Sequence, residues 1–192
     1  MDKGRVEAFS DGVIAVIITI MVLELKAPLG EHLADLRPLL PTFANYVLSF
    51  VYVGIYWNNH HHMLHAVRRI DGRVLWCNLY LLFWLSTVPF VTNWAGDHPL
   101  AKAPAAVYGV VLMMTALAWM VLLRALLHVK GQDADLAAAV KSGLKEKISP
   151  VIYVAGIIGA FVYTPFAYAC YIAVAVMWFI PDRRVERQLG MR

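Results

Sequence analysis

RVEAFSDGVIAVIITIMVLEL, residues Arg5–Leu25, is the stretch on which the fold of this chain turns. It has the length of a bilayer crossing, about 20 residues rising roughly 1.5 Å each, yet it carries Ser10 and Asp11 near its start. Counting about 100° per residue from Phe9, the side chains of Val13, Val16, Ile20 and Leu23 fall within about 40° of it and make one apolar stripe. Asp11 lies at about 200°, on the opposite face, with Ser10 between the two. An unpartnered carboxylate in hydrocarbon costs several kcal/mol, so Asp11 is expected to face protein or water and to meet a polar group on a neighbouring helix.

The rest of the chain reads the same way. Of 192 residues, 60% are hydrophobic, and the mean hydropathy is +0.62, well above a soluble domain. Six apolar segments stand out: Arg5–Leu25, Pro41–Asn59, Val74–Trp94, Ala103–His128, Ser149–Tyr163 and Pro165–Ile180. The expected class is an all-α membrane protein with six transmembrane helices, residues 1–192 forming a single six-span domain. The first four segments are long enough to cross, whereas the last two are short and need bilayer thinning or protein neighbours. The first span is too long for a signal-peptide core and has no small-residue cleavage site after it, so it is expected to remain in the mature protein. Cys77 and Cys170 stand alone in separate segments, without a C-x-x-C motif, which argues against redox or zinc-ribbon chemistry.

With six spans both termini share a side. That side collects Lys3, Arg5, Arg68, Arg69, Arg73, Arg124, Lys130, Lys141, Lys145, Lys147, Arg183, Arg184, Arg187 and Arg192, against Lys26, Arg37 and Lys102 on the other. The bias places both termini in the cytoplasm, in a multi-pass cell-membrane protein. It also accounts for the basic pI of about 9.1 without nucleic acid, since the charges hug the span ends and no nucleic-acid reader surrounds them. Pro41 is expected to open span two, and Ser149–Pro150 to cap and open span five. Thr164–Pro165 should make a tight return. Pro89, inside span three, should bend it near Ser86 and Thr87, whose hydroxyls can compensate the lost backbone bond. GQDADLAAAVKSGLKEK is expected to be an amphipathic helix between spans four and five.

Span two, PTFANYVLSFVYVGIYWNNHHHMLH, repeats polar groups on one face at Asn45, Ser49, Tyr52, Tyr56 and Asn59, a face expected to look into the bundle. Trp57 and His61, one turn apart, lie at the depth of Ser10 and Asp11, so a hydrogen-bond cluster between the two helices is expected to hold helix one. His60, His61, His62 and His65 raise a metal reading, because His61 and His65 are one turn apart. No Cys or acid nearby in sequence completes a tetrahedral set, so no metal site is expected there.

Arg5, Phe9, Ser10 and Asp11 as R-x-x-x-F-S-D, the following apolar helix with Thr19, and Trp57 and His61 as W-x-x-x-H resemble the transmembrane protein 175 family of potassium channels. The likeness covers the chain as one six-span repeat, as in prokaryotic members; animal lysosomal members hold two. It implies a homotetramer in the lipid bilayer of a prokaryotic plasma membrane, helix one of each subunit lining a central pore permeable to K+ and other monovalent cations, with no cofactor. It further implies a pore closed by apolar rings at Val16, Ile20 and Leu23, with Thr19 as the family threonine that modulates selectivity. In keeping with this, the T-V-G-Y-G filter of ordinary potassium channels is absent. Val16 is smaller than the Ile or Leu more often found there, which implies a leakier ring or a constriction shifted to Ile20. Arg5, Phe9, Ser10, Asp11, Trp57 and His61 are read as a structural and gating cluster, and Glu24 as a carboxylate near the outer mouth that draws cations. Thr19 can equally bond back to its own helix. Two other classes compete: a secondary transporter, against which span one is unbroken, and an intramembrane metal-dependent enzyme using the span-two histidines, against which no H-E-x-x-H or G-x-S-x-G motif appears and no catalytic residue is assigned.

Overall fold

The structure, a computed structural model, describes residues 3–67, 69–129 and 144–179. Its helices are α1 (Lys3–Leu23), a short 3-10 helix (Leu33–Leu39), α2 (Leu40–Ala66), α3 (Gly72–Ser86), α4 (Val88–Asp97), α5 (Lys102–Leu127), α6 (Leu144–Val162) and α7 (Thr164–Phe179). No strand occurs among the described residues. Taking α3 and α4 as one bent pass, these make the six helical passes expected from hydropathy. Lys3–Leu23, Leu33–His65, Gly72–Asp97 and Lys102–Leu127 are long and apolar enough to cross a membrane, while Thr164–Phe179 is shorter.

Local chemistry explains most of the boundaries. Pro41 sits in the first turn of α2, where its missing N–H costs nothing. Asp71 caps α3, its Oδ1 accepting from Val74 N at 2.9 Å. The bend expected from Pro89 is a break: α3 stops at Ser86, and α4 restarts at Val88 with Pro89 in its first turn. Ser86 and Thr87 donate their hydroxyls to the carbonyls of Phe83 and Trp84, each at 2.7 Å, so the freed backbone acceptors stay satisfied inside apolar surroundings. Tyr163 alone separates α6 from α7 at the Thr164–Pro165 return.

The structure corrects one boundary. Ser149–Pro150 does not open a helix, because α6 is already helical at Leu144 and Pro150 lies inside it. Ser149 donates to the Lys145 carbonyl at 2.7 Å, the bond of a serine within a helix, not of a cap. Pro150 removes one backbone bond inside α6, and the helix runs on through it, packed along α5 and α7. The amphipathic helix expected over 131–147 lies largely outside the described residues; Leu144–Lys147 form the first turn of α6.

α5 is the centre of the bundle, packed against α3, α4, α6 and α7, while α1 lies against α2, α3 and α4. The polar face of α2 does look inward. Ser49 is fully buried, with Oγ 2.6 Å from Thr92 Oγ1 and 2.8 Å from Tyr108 Oη. Thr92 spends its proton on the Val88 carbonyl at 2.7 Å, so Ser49 donates to Thr92 and Tyr108 donates to Ser49. Deeper in α2, Tyr52 donates to the Tyr171 carbonyl at 2.6 Å and accepts from Tyr153 at 3.3 Å, and Tyr171 donates to the Ala105 carbonyl at 3.0 Å. These hydroxyls join α2, α4, α5, α6 and α7 where water cannot reach them. Each such bond between membrane helices contributes about 0.6 kcal/mol on average.

Candidate functional site: helix one and the groove beside it

α1 has three working faces. Val6, Ser10, Ile14, Ile17 and Met21 are buried against the chain's own bundle. The stripe of Phe9, Val13, Val16, Ile20 and Leu23 lies about 100° to one side of that face, and Asp11 about 100° to the other. The stripe is poorly covered: Val16 is 54% exposed, Ile20 42% and Leu23 80%, whereas Val13 packs on the core edge. Beside it an open cavity of about 780 Å³ runs between α1 and the α3–α4 break, lined by Val13, Val16 and Ile20 on one wall and Pro89, Phe90 and Asn93 on the other. Ser86, at the end of α3, and Pro89, in the first turn of α4, both line it, so the cavity lies beside the break.

The buried face is held by a polar relay. Ser10 donates to the Val6 carbonyl at 2.8 Å and accepts from Asn78 Nδ2 at 2.9 Å. Asn78 Oδ1 stands 2.7 Å from His60 Nε2. Because that oxygen only accepts, His60 carries its proton on Nε2, which leaves Nδ1 buried without a partner. Ser10, His60 and Asn78 are all buried.

Asp11 finds the indole of Trp57, whose Nε1 donates to Oδ1 at 3.0 Å. Trp57 stacks on His61 with ring centroids 5.9 Å apart. One turn nearer the start of α1, Glu7 Oε1 lies 3.3 Å from His61 Nδ1 and 3.4 Å from His65 Nε2. Of the four residues expected to form one cluster, Asp11, Trp57 and His61 lie in contact, whereas Ser10 faces α3 and is bonded separately to Asn78. Arg5 and Phe9 are exposed and lie outside these contacts. Thr19 donates to the Val16 carbonyl at 2.8 Å. Glu24 accepts from Asn93 Nδ2 at 2.9 Å, tying the far end of α1 to α4.

Sequence reasoning missed Glu7, His60, His65 and Asn78 as parts of this site. Two signals were available. α1 and α2 run antiparallel, so stepping back one turn from Asp11 to Glu7 and forward one turn from Trp57 to His61 predicts a second contact. Likewise, steps of four from Tyr52 through Tyr56 reach His60, which carries the inward face one turn further. No comparable signal marks Asn78, a lone amide in an apolar run. The absence of an acid near the histidines also holds only along the sequence; in space Glu7 supplies one.

A bundle of long apolar helices that buries Ser10, Asn45, Ser49, Asn78 and Thr92 inside while leaving Val16, Ile20 and Leu23 exposed is a multi-pass membrane protein. Residues 5–89 match the family described as Endosomal/lysosomal potassium channel TMEM175. The "Potassium channel HX13_20290" of Chryseobacterium sp. (strain P1-3) is 50% identical over 189 residues, covering 98% of both chains. The crystal structure of a lysosomal potassium-selective channel TMEM175 homolog from Chamaesiphon minutus superposes with a TM-score of 0.78 at 28% identity, over 92% of this chain and 95% of that one. The "Endosomal/lysosomal proton channel TMEM175" of Mus musculus is 32% identical over 101 residues, 46% of this chain and 20% of the mouse protein. The chain belongs to the TMEM175 family, whose members are ion channels and not enzymes.

Proposed function

We propose that four copies of the chain assemble in a prokaryotic plasma membrane, both termini cytoplasmic, as a potassium-permeable cation channel lined by α1. The observation that carries this reading is the apolar row Val16, Ile20 and Leu23, left exposed by the chain's own bundle on a helix whose other faces are bonded to α2 and α3. A single helix cannot enclose a pore, so the stripe needs copies of itself around an axis. Rings of Val16, Ile20 and Leu23 offer a cation no ligand, and the barrier is the cost of partial dehydration, which rises steeply as a ring narrows. Potassium is larger and more weakly hydrated than sodium, so it crosses such a ring more readily without any coordinating filter. No cofactor takes part. Thr19, one turn from Val16, modulates that preference through its hydroxyl oxygen, whose lone pairs remain available while its proton bonds the Val16 carbonyl. Arg5, Phe9, Ser10, Asp11, Trp57 and His61 act on the position of α1 and touch no permeating ion.

The test is flux through purified protein in liposomes, with potassium, sodium and protons followed separately, and native mass spectrometry of each sample. We expect a tetramer, about four times the 21.5 kDa chain, with small potassium currents. Ile20→Asn and Val16→Asn should each admit water to the ring, raise conductance several-fold and bring the potassium and sodium permeabilities closer. A stable monomer alone contradicts the assembly. Unchanged conductance and permeability ratio in folded tetramers of both variants removes α1 from the pore, and proton flux without potassium flux reassigns the ion.

A further inference from the structure

Glu7 on α1 and His61 and His65 on α2 hold three ligand-type atoms within 4.8 Å of one another, at the end of the bundle where α1 begins. Two edges of this triangle, 3.3 Å from Glu7 Oε1 to His61 Nδ1 and 3.4 Å to His65 Nε2, are long for hydrogen bonds, which fall at about 2.7–3.2 Å for N–H donors. They are the length expected of a coordination tetrahedron, since two atoms each about 2.0–2.1 Å from a zinc ion sit about 3.3 Å apart. His61 and His65 stand at i and i+4, the spacing that aims two imidazoles of one helix at one ion, and their rings meet edge to face with centroids 4.4 Å apart. The third edge, at most 4.8 Å, closes by rotation of the His65 side chain, which is 61% exposed.

We propose that Glu7, His61 and His65 bind a divalent first-row transition ion, zinc foremost, with water from the open side as fourth ligand. Two neutral imidazole nitrogens and one carboxylate oxygen suit zinc, whereas calcium and magnesium call for oxygen ligands throughout. The Glu7 side chain is only 19% exposed, so the bundle closes one side of the site, and His65 leaves the other open to solvent. His61 is held from behind by its stack on Trp57, itself fixed by its bond to Asp11. The nearby Lys3 ammonium is directed at the carbonyls of His65 and Val67, at 3.3 and 3.2 Å, where it meets the C-terminus of α2. A bound ion joins α1 to α2 by two bonds to one helix and one to the other, and so fixes the first turns of α1. This site stands whether or not α1 lines a pore.

Tag-free protein in detergent is titrated with zinc chloride by calorimetry and with cobalt chloride by visible absorption. We expect saturation at one ion per chain, a raised melting temperature with zinc, and the intense visible bands of four-coordinate cobalt, lost when zinc is added. Glu7→Gln and His65→Gln should each weaken zinc binding roughly tenfold or more, while His128→Gln, a histidine elsewhere in the chain, leaves it unchanged. Equal affinity in wild type and both site variants, no saturable binding, or the pale spectrum of octahedral cobalt overturns the proposal and leaves a metal-free clamp of one carboxylate on two imidazoles. If either variant fails to fold, the wild-type cobalt spectrum and its response to zinc decide alone.

Discussion

Asn78 has an amide with donors on one side and an acceptor on the other, and it uses one of each on buried groups of other helices, Ser10 of α1 and His60 of α2. Removing it orphans both partners at once. Asn78→Ala should therefore cost about 1–3 kcal/mol, the penalty of a buried polar group left unpaired. Trp57→Phe removes one bond at an exposed edge, orphans one partner and not two, and should cost less. Thermal melts of the two variants in the same detergent check the order, and a milder loss for Asn78→Ala than for Trp57→Phe contradicts the relay. Asp11 and Trp57 were legible in the sequence because a carboxylate in an apolar helix demands a partner at its own depth, and antiparallel neighbours fix that depth. Asn78 was not: one amide in VLWCNLYLLFWL has no periodicity, and only the packing of α3 on α1 reveals what it meets.

At the level of elements, the closest approaches depend on missing side chains. A Cβ at Gly109 of α5 would overlap the Tyr171 hydroxyl, and one at Gly156 of α6 would stand 2.6 Å from Tyr171 Cε1. These glycines let Tyr171 of α7 lie between α5 and α6 and reach the Ala105 carbonyl. Gly109→Ala should destabilise the protein by about 1–3 kcal/mol through overpacking. Tyr171→Phe in the same chain should return part of that loss, because the hydroxyl is the nearest of the overlapped atoms, with Tyr171 Cζ and Ile157 Cγ1 behind it. Denaturation of the two singles and the double gives the coupling, and strict additivity of the losses contradicts the fit. The break at Pro89 was readable because proline forbids a specific backbone bond. Pro150 has the same chemistry, yet α6 runs through it; a proline marks where a bond is lost, and packing decides whether the helix ends there.

Across the whole molecule, six passes follow from hydropathy because the bilayer rewards long apolar runs whatever they face. Which faces meet lipid and which meet another subunit does not follow from it, since both are apolar and the uncovered Val16 reads like the uncovered Ile158 of α6. What separates α1 is the placement of its polar contacts. Ser10 and Asp11 are bonded near one end, Glu24 is bonded at the other, and between them Val13, Ile14 and Ile17 touch their neighbours through dispersion alone. In mechanical terms α1 is a beam pinned at both supports. Sliding or tilting it breaks hydrogen bonds, whereas bowing its midpoint only shifts contacts worth about 0.1–0.2 kcal/mol per atom pair. Compliance is thereby concentrated at Val16 and Ile20, against the open 780 Å³ cavity into which the helix can yield. Spin labels at position 16 should show a broader spread of distances between subunits than labels at position 8, and equal spreads would mean that α1 moves as a rigid rod.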